Sequence, residues 1–161
     1  MRLAGIVPES IVDGPGMRYV VFTQGCPHCC PGCHNPHTHD PSGGFDISPG
    51  ELVSRFLLSA RENPLLDGLT ISGGEPLTQA RELLPLADAA GEEGLNIWLY
   101  TGYTIEEIRS RGNWDDAELL RRVDALVDGR FIESMRTMDA PFKGSSNQRI
   151  IKSPVLYIHT T

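Results

Sequence analysis

The sequence predicts an α/β fold built on a mostly parallel sheet. Strand-like runs rich in β-branched and aromatic residues alternate with amphipathic helical stretches along most of the chain, which is the pattern of βαβ units. The 161 residues are too few to close an eightfold barrel, which needs roughly 200 or more. We therefore expect one domain over residues 1–161, an open partial (β/α) barrel of about five or six mostly parallel strands. Its site should lie at the carboxyl ends of those strands.

The first half of the chain is predicted to contain two strands and one helix around a cysteine-rich loop. Residues 2–7 form an edge strand, and residues 17–23 form a buried strand that leads directly into the loop. Proline and glycine exclude a helix between residues 35 and 44. Ser48 and Glu51 form a capping box, and the helix that follows has one apolar face over residues 52–60.

The second half repeats the alternation of strand and helix. Strands are predicted at residues 68–72, 95–100 and 125–127, with a last parallel strand at 149–151 and an extra edge strand at 155–158. One helix is predicted over residues 79–92, bent or interrupted at Pro85. Thr104 and Glu107 cap a second helix, and a third runs from Asp115 or Asp116 to residue 123.

Composition and charge argue against several classes of protein. The formal net charge of −7 does not fit a nonspecific nucleic-acid binder, which needs a basic face. No apolar run approaches the length of a membrane span, and the first residues lack the pattern of a signal peptide. Unpaired thiols imply a reducing compartment, so we expect a cytoplasmic protein. Both tryptophans, Trp98 and Trp114, are expected in the core.

The four cysteines, Cys26, Cys29, Cys30 and Cys33, all fall within one short loop. A disulfide knot is a weak explanation, because a chain of this size buries a core without crosslinks. A metal site is favoured instead, and either Cys29 or Cys30 can complete a triple with Cys26 and Cys33. Zinc usually takes four ligands from two separated pairs, whereas compact thiolates on one loop suit an iron–sulfur cluster.

Motifs spread from residue 13 to residue 149 carry a resemblance to a known family. The spacing Cys26-x3-Cys30-x2-Cys33 matches the cluster motif of the radical S-adenosylmethionine enzymes. Further stretches resemble one branch, the anaerobic ribonucleoside-triphosphate reductase activating proteins: DGPGMR at 13–18, QGC at 24–26, CPGCHN at 30–35, SGGEPL at 72–77, YTGY at 100–103, VDGRF at 127–131 and GSSNQR at 144–149. The sequence departs from the usual pattern at Gly32, often aromatic in the superfamily, and at His34, commonly tyrosine in this branch.

The resemblance implies a [4Fe–4S] cluster and S-adenosyl-L-methionine as cofactors. The cluster would be held by Cys26, Cys30 and Cys33, which leaves one iron for a ligand that is not protein and leaves Cys29 outside the set. By the same resemblance, Gly32, Cys33 and His34 would line the methionine end of the cofactor.

The turn after the strand at 68–72 is a second candidate for cofactor binding. Gly73 and Gly74 lack side chains, so their backbone can approach a ligand closely. Glu75 would accept a hydrogen bond from the cofactor's ammonium group. The remaining loop histidines (His28, His37 and His39) are interpreted as polar surface residues of the loop rather than as metal ligands. Asp128 and Arg130 either contact cofactor or substrate or form an ion pair that closes the rim.

The function that the resemblance implies is activation of a glycyl-radical enzyme. The radical SAM enzyme would cleave S-adenosylmethionine reductively and generate a glycyl radical on the large subunit of anaerobic ribonucleotide reductase. Flavodoxin or ferredoxin would supply the electron, and no nucleic acid or membrane would be involved. The alternatives are an activase of the pyruvate formate-lyase type, a small-molecule radical SAM enzyme, and a non-catalytic zinc module on Cys26, Cys30, Cys33 and His34.

Overall fold

A computed structural model describes residues 1–158 as one seven-stranded sheet in the order β3-β1-β2-β4-β5-β6-β7. The strands are β1 (Arg2–Ser10), β2 (Met17–Thr23), β3 (Phe45–Asp46), β4 (Leu66–Gly73), β5 (Asn96–Tyr100), β6 (Ala125–Asp128) and β7 (Arg149–Lys152). The four central strands, β2, β4, β5 and β6, run parallel, and the outer pairings are antiparallel. The α/β class and the parallel central sheet are therefore confirmed.

The outer strands differ from the sequence predictions. The strand at 149–151 was expected to be parallel, but β7 pairs antiparallel with β6. After β6 the chain returns through residues 129–148, where the only helix is the 3₁₀ turn Glu133–Met135, so it re-enters the sheet at the edge it left. The expected edge strand β1 is flanked by the two-residue β3, which also takes the sheet to seven strands rather than five or six.

Residues 1–158 contain five α-helices, of which the first four lie between strands: α1 (Pro49–Glu62), α2 (Ala80–Glu92), α3 (Ile105–Arg111), α4 (Trp114–Leu120) and α5 (Val155–Ile158). The predicted edge strand at 155–158 is wrong, because after Pro154 the chain turns into α5. The exclusion of helix between residues 35 and 44 is also too strict, since Pro36–Thr38 forms a 3₁₀ turn. No helix among residues 1–158 is long and apolar enough to cross a membrane.

Three of the helices, α1, α3 and α4, begin where a side-chain cap accepts from free backbone N–H groups. The Ser48 hydroxyl accepts from the Glu51 N–H at the start of α1, and Thr104 with Glu107 forms a complete capping box on α3. Asn113, rather than an aspartate, caps α4. That start leaves Trp114 66% exposed at the first turn, so its expected place in the core is wrong.

One face of the sheet carries the main core. Successive side chains of a strand point to opposite faces, and in β2 Tyr19 and Val21 pack into the main apolar cluster. There they meet the apolar sides of α1 and α2, for example Phe56, whose ring stands edge-on to Tyr19 at 5.3 Å, and Leu83.

The opposite face of the sheet contains a buried cation. Arg18 has no exposed surface, and its guanidinium donates to the Thr70 hydroxyl at 3.0 Å, the Leu69 carbonyl at 2.6 Å and the Asn96 side chain at 2.6 Å. Burial lowers its pKa to about 10. Because Thr70 in turn donates to the Asp13 carbonyl, this network fixes the DGPGMR segment against the sheet.

Candidate metal and cofactor site

The cysteine loop, residues 24–40, begins where β2 ends and folds back on itself. Three hydrogen bonds close it: the Gly25 N–H donates to the Thr38 carbonyl at 2.8 Å, the Cys26 N–H to the His39 carbonyl at 3.1 Å, and the buried Gln24 side chain to the Asp40 carbonyl at 2.7 Å. Thr23 at the end of β2 pairs with Gly73 at the end of β4. The loop therefore lies at the carboxyl edge of the parallel strands, where the sequence predicted the site.

A cavity of about 120 Å³, here called the cysteine cavity, opens at this edge. Its walls include Cys26, Cys30 and Cys33 from the loop, Gly73 and Gly74 at the end of β4, Tyr100, Thr101 and Gly102 at the end of β5, Gly129 and Phe131 after β6, and His28, Thr38, His39, Ser72 and Gln148.

Cys29 is not among the residues that line the cysteine cavity. It is exposed, it has a positive φ of 45°, and its thiol donates to the Cys26 carbonyl at 3.4 Å.

The three thiols that line the cavity suit a cationic metal cluster. Burial raises the pKa of the Cys26 and Cys30 thiols, because a thiolate loses hydration there. Backbone N–H groups oppose that rise at both residues, by hydrogen bonding to the thiolate form. The positive charge of bound iron would stabilise the thiolates in place of the lost hydration. Closely spaced sulfur donors are the usual ligands of iron–sulfur clusters. Among residues 1–158, no three His, Cys, Asp or Glu side chains already converge on a single-ion site.

The two glycines after β4 have a structural requirement as well as a place in the cavity wall. Gly73 has a φ of +108°, a conformation that other residues rarely adopt. A side chain on Gly73 would overlap the backbone of Thr23, and one on Gly74 would overlap the Gly25 carbonyl. The absence of side chains at these glycines therefore allows their backbone to pack closely against the end of β2 and the start of the cysteine loop. Their approach to a cofactor remains a prediction.

Glu75 is buried completely, and its carboxylate connects three segments. One oxygen accepts from the Leu77 N–H at 3.0 Å and the Thr101 hydroxyl at 2.8 Å. The other accepts from the Gly102 N–H at 2.8 Å and lies 2.8 Å from His28 Nε2. The carboxylate is saturated by protein groups and does not line the cysteine cavity.

His28 anchors the cysteine loop, a role that the sequence interpretation missed. Its side chain is only 5% exposed, and its ring stands edge-on to Tyr103 at 4.4 Å. A side chain on Gly102 would overlap the His28 ring. The Arg111 guanidinium lies over the other ring of this pair, 4.2 Å from the Tyr103 centroid. The sequence did offer a signal for this contact: His28 lies inside the cysteine motif, and Glu75 is an acid that follows a neighbouring strand.

The residues predicted at the methionine end of the cofactor separate in the structure. Cys33 lines the cysteine cavity, whereas Gly32 and His34 do not. Gly32 is exposed, with the Glu133 side chain beside it. The exposed His34 ring packs against Phe131 at 4.9 Å between centroids, and Phe131 does line the cavity. For Gly32 and His34, cofactor contact therefore remains a prediction.

Charged residues close the rim after β6, although not as the expected pair. Asp128 is buried and forms ion pairs with Arg149, which also binds Glu106 at 2.7 Å. That contact lowers the pKa of Glu106 to about 2. Arg130 instead pairs with Glu107 at 2.9 Å. These ion pairs connect the chain after β6 and strand β7 to α3.

The fold, the half-buried thiols of the cavity and a family match together define an iron–sulfur protein of α/β class. The chain matches the family described as "4Fe-4S single cluster domain" over residues 12–151. Curated relatives named "Anaerobic ribonucleoside-triphosphate reductase-activating protein" include those of Vibrio cholerae (35% identical, covering 89% of this chain and 92% of that one), Escherichia coli K12 (32%; 88% and 92%) and Enterobacteria phage T4 (35%; 93% and 93%).

The chain belongs to the family of anaerobic ribonucleoside-triphosphate reductase-activating proteins, as its identity and coverage with these relatives show. The resemblance carried by the sequence motifs is thereby confirmed. Among solved structures, QueE from Escherichia coli aligns with 64% of this chain and 52% of its own at 21% identity and a TM-score of 0.47, a likeness too weak to support an argument.

Proposed function

We propose that this protein is a radical SAM activating enzyme that generates a glycyl radical on anaerobic ribonucleotide reductase. The observation that carries the proposal is the convergence of Cys26, Cys30 and Cys33 on one cavity at the carboxyl edge of the parallel strands. Membership of the activating-protein family gives that cavity its chemistry. Residues 1–161 are treated as a single radical SAM domain, supported by the one sheet that runs through residues 2–152.

The proposed cofactors are a [4Fe–4S] cluster and S-adenosyl-L-methionine. Thiolates of Cys26, Cys30 and Cys33 would bind the cluster, and the exposed Cys29 would remain free. The chemistry that a reduced cluster would supply at these thiolates is one electron for cleavage of S-adenosyl-L-methionine into methionine and an adenosyl fragment, with removal of a hydrogen atom from the partner's glycine as the outcome. The protein's part is to position these groups and to exclude water.

Different walls of the cysteine cavity serve that positioning. Gly73 and Gly74 would present backbone to the methionine portion, and Cys33 is a further predicted contact in the cavity wall. Gly32 and His34, which lie outside that wall, are the other predicted contacts. The predicted bond from Glu75 to the ammonium group would require one of its present donors to give way. Glu75 would otherwise act indirectly, by holding the Gly102 backbone and the His28 ring around the cavity.

The open side of the site favours a macromolecular substrate. A second cavity of about 370 Å³ adjoins the first and shares His28, Cys30, Gly129 and Phe131 with it. The segment 132–144 beside it is short, and it exposes Ile132, Met135 and Met138. In the proposed partial barrel, the missing wall is the reductase large subunit, whose glycine loop would enter beside Cys33 and Gly74.

Several parts of the proposal rest on the sequence and chemistry alone. An external one-electron carrier such as flavodoxin or ferredoxin would deliver the electron. A cytoplasmic location follows from the need to keep the thiols reduced. That neither nucleic acid nor membrane takes part remains a prediction from the net charge of −7 and the lack of long apolar runs.

Anaerobic reconstitution followed by EPR tests the proposed function. We expect about four irons and four sulfides per chain. When the reconstituted protein is reduced in the presence of S-adenosylmethionine and anaerobic reductase, a glycyl-radical doublet should appear on the reductase. One zinc without sulfide would instead establish the metal module. A doublet only on a pyruvate formate-lyase type partner would change the substrate, and cofactor cleavage without any protein radical would favour a small-molecule enzyme.

A further inference from the structure

His39 has a buried ring nitrogen without a partner at the edge of the predicted cluster site. Its Nε2 is inaccessible to solvent and makes no hydrogen bond within the structure. Buried polar atoms are nearly always paired, so an orphan of this kind indicates a missing partner. Sequence interpretation had assigned His39 to the polar surface of the loop, which its half-buried position does not support.

His39 lies beside Cys26, one of the predicted cluster ligands. His39 and Cys26 both line the cysteine cavity, and both line a third cavity of about 410 Å³ on the other side of the loop, so the two residues form part of the partition between these two cavities. Their backbones are also joined by the 3.1 Å bond from the Cys26 N–H to the His39 carbonyl. A group bound through Cys26 would therefore lie beside the His39 side chain.

We propose that His39 donates a hydrogen bond from Nε2 to a sulfur of the bound cluster on the Cys26 side, and that it thereby raises the cluster's reduction potential. The inference rests on the proposed function, since it requires the cluster. Thiolate and sulfide sulfurs are acceptors, and an imidazole N–H is a donor. His28, a loop histidine whose side chain is only 5% exposed, is already bonded to Glu75 through Nε2 and is not available for this role.

The direction of the effect follows from charge. Reduction adds one electron to the cluster, and the additional negative charge strengthens any hydrogen bond that its sulfurs accept. A donor therefore stabilises the reduced cluster more than the oxidised one, which is a recognised way in which proteins set iron–sulfur potentials. Removing the donor should make the cluster harder to reduce, without removing a ligand.

The test is an EPR-monitored redox titration of the reconstituted full-length protein, without S-adenosylmethionine or reductase. His39→Leu removes the donor, and His39→Gln keeps an N–H near the same position. His37→Leu is the matched control, because His37 is exposed on the same loop and is absent from both cavities. Iron and sulfide content is measured for every variant, and the signal is normalised to it.

At the wild-type midpoint potential, we expect the ratio of reduced to oxidised cluster in His39→Leu to fall about threefold. The upper limit is about tenfold, set by one net hydrogen bond, because only the difference in bond strength between the two oxidation states changes the ratio. His39→Gln and His37→Leu should stay within about twofold of the wild type, which a purely steric role for His39 would not explain.

A wild-type ratio in His39→Leu would overturn the inference. So would equal losses in the Leu and Gln variants, which would indicate packing, or loss of iron from His39→Leu alone, which would make His39 a ligand. Failure of the wild-type protein to assemble any iron–sulfur cluster would instead refute the proposed function, and the iron and sulfide analysis distinguishes that result.

Discussion

The apolar core and the cysteine loop are held in place by different kinds of contact. Beneath α1 and α2, many apolar side chains share the stabilisation, and Leu52, Phe56 and Leu83 are all fully buried. The cysteine loop depends on a few specific polar groups, chiefly the Glu75–His28 contact and the Gln24 side chain. Damage to the core should therefore lower stability broadly, whereas damage to the loop should change metal binding first.

The largest expected effect is at the ligands themselves. Changing Cys26, Cys30 or Cys33 singly to serine should abolish the cluster's visible absorption, because a hard hydroxyl replaces a soft thiolate. Cys29→Ser should retain the absorption, since Cys29 is exposed and does not line the cavity. If Cys29→Ser lost the absorption and Cys30→Ser kept it, the other cysteine triple would hold the cluster.

Leu83→Ala tests the core side of the comparison. Leu83 lies on α2 with no exposed surface, so truncation should lower the free energy of unfolding by about 2–5 kcal/mol. Urea titration measures this loss. The folded fraction should still bind iron and sulfide at the wild-type stoichiometry, and a parallel loss of cluster would show that core and loop are not separable.

His28→Ala tests the loop side. It removes the contact to Glu75 and the edge-on packing against Tyr103, and it leaves a buried carboxylate oxygen with one donor fewer. We expect a loss of about 1–3 kcal/mol. Because that loss falls on the loop, transfer of iron to a chelator should be about tenfold faster or more. The control is Leu83→Ala at matched global stability, and equal rates in the two variants would contradict the distinction.

The sequence predicted the core better than the loop, and the reason is physical. Apolar periodicity repeats along each element, so the buried face of α1 and the strand β2 could be recognised from local pattern alone. The cysteine spacing left Cys29 and Cys30 as alternatives, and the family resemblance selected the three thiols that line the cavity wall. The antiparallel pairing of β7 depends on the path of residues 129–148, and no local pattern specifies that path.

Contacts between distant single residues were also hidden from the sequence. Glu75 was assigned to the cofactor, but its partners His28, Thr101 and Gly102 come from two other segments, 47 positions before and 26 to 27 positions after it. His39 gave no signal either, because an orphaned nitrogen is defined only by what surrounds it. Such contacts hold the cysteine loop in position, and no local pattern reveals them. The predicted cluster ligands were therefore easier to recognise than the residues that position them.

Asp116 connects the two regions and gives the smallest expected effect, one that depends on pH. Its carboxylate is fully buried on α4, makes no hydrogen bond, and lies 3.3 Å from Arg111, whose guanidinium packs over Tyr103 beside His28. Burial outweighs the attraction of Arg111 and raises the Asp116 pKa to about 6.

In the pH range between the unfolded and folded pKa values of Asp116, the folded protein binds more protons than the unfolded chain. Stability from this group is therefore greatest at low pH and is lost as pH rises toward and through 6. Between pH 5 and 7 the loss should be about 1 kcal/mol, and Asp116→Asn should remove it.

Urea unfolding at both pH values measures the difference between variant and wild type, with Asp88→Asn, an exposed carboxylate paired with Arg122, as the control. Since Arg111 loses its ion pair at every pH, the change in slope rather than the absolute stability is decisive. An unchanged slope in Asp116→Asn would mean that Arg111 keeps Asp116 ionised throughout this range, and that the link between α4 and the cysteine loop does not respond to pH.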